Sequence, residues 1–189
     1  MNKNTKILYV FMLNEDDIGP KEHVRNVLLH SDCSIDVITN LDNSIWSNVL
    51  QKAFVSKFRN TFLNSLVFQI RVLLFILFNN KYEVILLRQS VGFFIIPFFK
   101  FIYSQKIYIE VNGVQSQDLL DRGRPLGSII NSVLEFITYI FCDKIICVHE
   151  NIKNVLLNNF SKINSKNIYV VENGINPIAY LSSIDAKKQ

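Results

Sequence analysis

The sequence predicts an α/β fold, a Rossmann-like doubly wound parallel sheet. Three observations lead there. Short, nearly continuous apolar runs recur along the chain, as in KILYVFML, EVILLRQ and KIICVH, and strands buried on both faces read that way. Longer segments with helical periodicity lie between them. The two kinds of segment alternate, which is the pattern of a parallel sheet covered on both faces.

The elements follow in chain order. KILYVFML, residues 6–13, reads as a buried strand. Gly19-Pro20 opens a helix with Val24, Val27 and Leu28 on one face, and proline is tolerated in a first turn. SIDVIT, 34–39, is the second strand, and a long helical stretch over 44–79 follows. EVILLRQ, 83–89, is the third strand, with an apolar helix over 91–103 after it. KIYIEV, 106–111, is the fourth. Residues 128–141 carry apolar side chains at 129, 130, 133, 134, 137, 140 and 141, a helical period. KIICVH, 144–149, is the fifth strand. A helix over 150–160 presents Ile152, Val155, Leu156 and Phe160 on one face, and NIYVV, 167–171, is the sixth strand.

A chain of 189 residues with 49% apolar content suits one domain with a sizeable core. Residues 1–176 are assigned to that domain, and 177–189 to the start of a crossing or a frayed tail. Charged residues make up 19% and the net charge is +4, which argues against a nucleic-acid partner with its dense Lys/Arg stripe. Cys33, Cys142 and Cys147 are odd in number and form no CxxC, so a reduced, cytoplasmic protein is expected. The start, MNKNTKILYVFML, has a short apolar run followed by Glu15-Asp16-Asp17, unlike a signal peptide.

Residues 61–78 are broken by Asn64, Gln69 and Arg71, while 91–103 is short and holds Pro97 and Lys100, so neither predicts a spanning helix. Trp46, Phe54, Phe58, Phe62 and Phe68 nevertheless alternate with Lys52, Lys57, Arg59 and Arg71. Two readings stay open for this stretch: peripheral contact with the inner face of an anionic membrane, or an ordinary helix packed on the sheet. FFIIPFFKF adds a second apolar surface.

Ligands of such sheets bind beyond the carboxyl ends of the strands, and the polar residues gather there. The first loop contributes Gly19 and His23, the third strand Arg88, the fourth Glu110, Asn112 and Gly113. The fifth ends in His149-Glu150 and the sixth in Glu172-Asn173. Glu110 closes an apolar strand, where a charge must reach a cleft or find a partner. Gly19 allows close approach to a helix start that favours anions, or is a plain turn residue. The Asn-Gly pairs at 112–113 and 173–174 are candidates for left-handed turns. His149, just before a helix, is either structural or a donor or base toward a sugar. No GxGxxG, Walker sequence, HExxH or metal-ligand spacing is present, and no bound cofactor is expected.

These pieces together resemble the N-terminal half of a family 4 glycosyltransferase of the GT-B type. The resemblance rests on Gly19 with His23-Val24, on EVNG at 110–113, on DKIICVHENIKNVL at 143–156 and on NIYVVENGIN at 167–176, and it spans nearly the whole chain. It implies two Rossmann-like domains facing across a cleft. The N-terminal one takes the acceptor, a sugar or lipid-linked sugar. The C-terminal one takes the nucleotide-sugar donor through paired glutamates, a pattern not found here. It therefore implies half of an enzyme, inactive alone and completed by a donor-binding domain or a separate donor-binding subunit. The chemistry implied is retaining and usually metal-independent. A non-catalytic, membrane-associated module that binds an acceptor or recruits such a subunit is the alternative. The chain departs from the family in its single glycine in the first loop, in Asn112 where many members have histidine, and in His149 where serine is usual.

Overall fold

A computed structural model describes residues 5–13, 18–29, 31, 33–41, 51–55, 61–90 and 92–172. His30, Trp46, Lys57, Phe58, Arg59, Asn173 and the segment 177–189 lie outside them. Seven strands form one sheet in the order β3-β2-β1-β4-β5-β6-β7, and every pairing is parallel. The strands are β1 (Lys6–Phe11), β2 (Ser34–Thr39), β3 (Gln51–Ala53), β4 (Val84–Arg88), β5 (Lys106–Val111), β6 (Lys144–Cys147) and β7 (Ile168–Val170). The helices are α1 (Ile18–Leu29), α2 (Thr61–Phe78), α3 (Ile95–Phe98), α4 (Gln115–Asp121), α5 (Pro125–Phe141) and α6 (Glu150–Asn159). The order reverses between β1 and β4, the topological switch point of a doubly wound sheet.

Strand alternation sorts the core into two layers. Ile7, Tyr9, Phe11, Val37, Leu86 and Tyr108 point to the side covered by α1, where Val24 and Val27 pack on them. Leu8, Val10, Ile85, Leu87, Ile107 and Ile109 point to the opposite side, toward Phe68 and Val72 of α2, Tyr139 of α5 and Leu156 of α6. Each such aliphatic side chain contributes about 1.5–3 kcal/mol when fully buried. Right-handed crossovers require this division, since β1-α1-β2 runs one way across the sheet and the later units run the other.

Four sequence expectations change. The stretch 44–79 is not one helix: Gln51–Ala53 is an edge strand in register with Val37–Thr39, and the Phe54 amide donates to Thr39 O at 2.8 Å. Gln-Lys-Ala has no apolar alternation, so only pairing with β2 reveals it. The helix expected over 91–103 shrinks to Ile95–Phe98 and a 3-10 turn at Lys100–Ile102. A helix begun at 91 would place Pro97 in its interior and lose a backbone bond. Starting at Ile95 keeps Pro97 in the first turn. Third, α4 has no apolar period and was not expected.

The fourth change concerns α5. Its helical period is as read, but it is turned inside out. The buried side chains are Asn131, Glu135, Thr138 and Tyr139, while Leu126, Ile129, Ile130, Val133 and Ile140 are exposed. Those inner groups are tied to backbone and side chains beneath them. Thr138 Oγ1 donates to Phe93 O at 2.6 Å, the Gly92 amide donates to Asn131 Oδ1 at 3.3 Å, and Tyr139 Oη donates to Gln89 Oε1 at 2.9 Å.

Candidate functional site at the sheet's carboxyl edge

Tyr9, Arg88 and Glu110 share one strand parity, so all three point to the α1 side. Register brings the last two level, Arg88 opposite Glu110. The resulting cluster centres on the Glu110 carboxylate, which is 1% exposed. Its Oε2 accepts from Tyr9 Oη at 2.9 Å. Its Oε1 accepts from Arg88 Nη1 at 2.5 Å and from Asn112 Nδ2 at 2.9 Å. His23, on the second turn of α1, brings Nε2 to 3.1 Å of the same oxygen. That approach is of ion-pair length but lacks hydrogen-bond alignment, so Arg88 is the stronger partner.

Burial alone would raise the Glu110 pKa. His23, Arg88 and Asn112 outweigh it and bring it down to about 2. The carboxylate is thus ionised, fully engaged and a poor proton acceptor at neutral pH. Tyr9 is its counterpart: burial, with the adjacent carboxylate, pushes the phenol well above its ordinary value, so it stays a donor. Glu110 acts as a hub that holds Arg88, His23 and Asn112 at the rim. His23 and Asn112 are partly exposed and suit a ligand rich in hydroxyls.

A second hub lies across the sheet. Gln89 follows Arg88 and so points the other way, donating to Glu135 Oε1 at 2.6 Å. The same carboxylate receives the Gln115 amide at 2.7 Å, the Ser116 amide at 3.2 Å and Ser116 Oγ at 2.6 Å. Val114, at the N-cap of α4, offers no side-chain cap, and Glu135 supplies one from outside. Burial keeps the Glu135 pKa raised despite these donors.

The other expected site residues separate. Gly19 is exposed in the first turn of α1, and a Cβ there would touch nothing. Gly113 follows β5 beside the cluster, yet it needs no left-handed backbone: among the described residues positive φ occurs only at Gly92 and Gly123. His149 is exposed and its Nδ1 accepts the Asn151 amide at 3.1 Å, capping α6. Glu150 is exposed and pairs with Lys153 at 2.9 Å. Glu172 is exposed beyond β7. Sequence reading missed Tyr9 and Glu135, and set Gln89 on the same rim as Arg88, whereas it points to the opposite face. For Glu135 a signal existed, because it is the sole charge within residues 125–141. Among the described residues no three His, Cys, Asp or Glu side chains gather as a metal-ligand set.

Several solved structures share this architecture. Anabaena HepE in complex with UDP and glucose superposes with a TM-score of 0.65 at 12% identity, covering 91% of this chain and 45% of that one. The lipopolysaccharide outer core galactosyltransferase WaaB gives 0.61 at 12%, covering 90% and 46%. MnaA of S. aureus, solved with UDP, gives 0.59 at 17%, covering 88% and 43%.

The fold is GT-B-like.

The chain spans about half the length of these GT-B structures. No protein-family profile matches the sequence, and no curated protein matches it. Identities of 12–17% carry the likeness in fold and nothing finer.

Proposed function

We propose that this GT-B-like unit is the acceptor-binding, N-terminal half of a family 4 glycosyltransferase. The full enzyme moves a sugar from a nucleotide-sugar to a polysaccharide or glycolipid acceptor. The observation that carries this reading is the Glu110 cluster at the carboxyl edge, beside the switch point where such sheets take ligands. His23 and Asn112 are the groups offered to acceptor hydroxyls, with Gly113 next to Asn112 in the chain. Arg88 and Glu110 position these groups. No base is assigned, since Glu110 is already ionised and engaged. The nucleotide-sugar belongs mainly to a second domain, and without its contacts the transition state loses the stabilisation they supply. A soluble UDP-sugar is therefore expected to bind this chain poorly.

The test is ligand-observed NMR with panels of oligosaccharides, water-soluble glycolipid head groups and UDP-sugars. Saturation transfer to a sugar acceptor, lost in His23→Ala and in Asn112→Ala, is expected. Tight binding of UDP-sugars without any acceptor binding would sink the assignment. His23→Ala should leave folding stability within about 1 kcal/mol of the parent, because its contact with Glu110 is unaligned. Urea denaturation of the same samples checks that.

A further inference from the structure

The inverted helix α5 presents an apolar face that the described residues leave exposed. Leu126, Ile129 and Ile130 are 77%, 63% and 60% exposed. They continue to Val133 and, two turns on, to Ile140 and Phe141, one side of a helix. At its far end the stripe joins an aromatic block. The rings of Phe98 and Phe141 meet edge-on at 5.8 Å, and Phe101 and Ile102 stand exposed beside them in the chain. Rotating α5 to bury this stripe would orphan the Gln115 and Ser116 amides and Gln89, all held by Glu135. The outward apolar face is thus fixed by the polar contacts beneath it.

Charge decides what covers it. Residues 125–141 carry one charge, Glu135, and it is buried. The approach to α5 holds Arg122 and Arg124, both exposed, which make no ion pair among the described residues. Lys162 lies beside Val133 and Phe136 in the groove between α5 and α6. Asp118 and Asp121 of α4 are exposed as well, Asp121 accepting from Gln117 at 2.9 Å, and Arg122, Arg124 and Lys162 together outnumber them. A bulky aliphatic face without charge, edged by cations, matches an anionic bilayer surface. At 17 residues the helix is about 25 Å long, and no described helix is long and apolar enough to cross a membrane. We propose that α5 lies in the plane of an anionic lipid surface, with Leu126, Ile129, Ile130 and Val133 in the acyl boundary and Arg122 and Arg124 against the head groups.

The test needs no sugar, so it stands or falls apart from glycosyl transfer. The full chain is sedimented with phosphatidylcholine vesicles, with and without phosphatidylglycerol. It should bind the anionic vesicles more strongly. Ile129→Asp with Ile130→Asp should weaken binding to both by roughly tenfold or more. Arg122→Ser with Arg124→Ser should weaken binding roughly tenfold on the anionic vesicles only. Both pairs are exposed, and thermal melting confirms folding; the arginine pair serves alone if the aspartates unfold the chain. Parent protein left in the supernatant, or variants that bind like the parent, overturns the proposal. So does a dimer, formed without lipid, that the aspartate pair dissociates, because the face then belongs to a second copy.

Discussion

Glu110 shows how one side chain serves both stability and site. Its pKa falls from 4.5 unfolded to about 2 folded. The sign follows: its stabilisation is complete above about pH 4.5 and drains as pH falls toward 2. Glu110→Gln leaves the Arg88 guanidinium buried without its counter-charge, and a loss of about 3 kcal/mol at neutral pH is expected. Urea denaturation across a pH series should show the parent losing stability in that window and the variant holding flat. Equal slopes would mean that the cluster is wrongly drawn. The residue was legible in the sequence as a charge at the end of an apolar run. Arg88 was legible too, as a charge at the next strand end, but Tyr9 was not: it joins them only because three separate strands align in the order β1-β4-β5.

At the scale of elements, side chains from one helix hold the ends of another. Gln69 of α2 accepts the Phe94 and Ile95 amides at 2.7 and 2.8 Å, and donates to Gly92 O at 2.6 Å. Gly92 turns there with φ +69, and a Cβ would come within 2.9 Å of the Phe62 ring. Gly92→Ala should therefore cost about 1–3 kcal/mol, read from its melting curve against the parent. Glu135 does for α4 what Gln69 does for α3. Glu135→Leu is expected to raise amide exchange at Gln115 and Ser116 while the sheet amides keep their protection. Because its folded pKa is raised by burial, the contribution of Glu135 is greatest at low pH and shrinks as pH climbs through that raised value. Within 45–78 the described residues divide: Ile70, Leu74 and Phe78 of α2 are exposed, while others pack. Phe68 is buried in the core, Lys52 Nζ of β3 rests 4.4 Å over the Phe75 ring and Arg71 donates to Val55 O at 2.9 Å, which ties α2 to the edge strand.

For the whole molecule, the expected phenotype is dependence. The chain matches about half the length of the GT-B structures it resembles. Purified alone with UDP-glucose, UDP-galactose and a glycolipid acceptor, it should give no measurable transfer. Turnover by the isolated chain would overturn the acceptor-half assignment, because that proposal gives the leaving nucleotide to a second domain.

The sequence alone determined the layered α/β class, six of the seven strands at nearly their final bounds, and the apolar faces of α1 and α6. Those follow from local periodicity, which the chain carries residue by residue. It also placed His23, Arg88, Glu110 and Asn112 at one rim, since strand ends in a parallel sheet share an edge. Tertiary structure alone decided the rest. Edge strand β3 exists only by pairing with β2, and α3 is short because Pro97 is tolerated only near its start. Most of all, the direction in which α5 faces cannot be read from its own period. An amphipathic helix normally buries its apolar side. Here the unmet backbone groups of residues 92–93 and 115–116 needed buried polar partners, and satisfying them turned the apolar side outward.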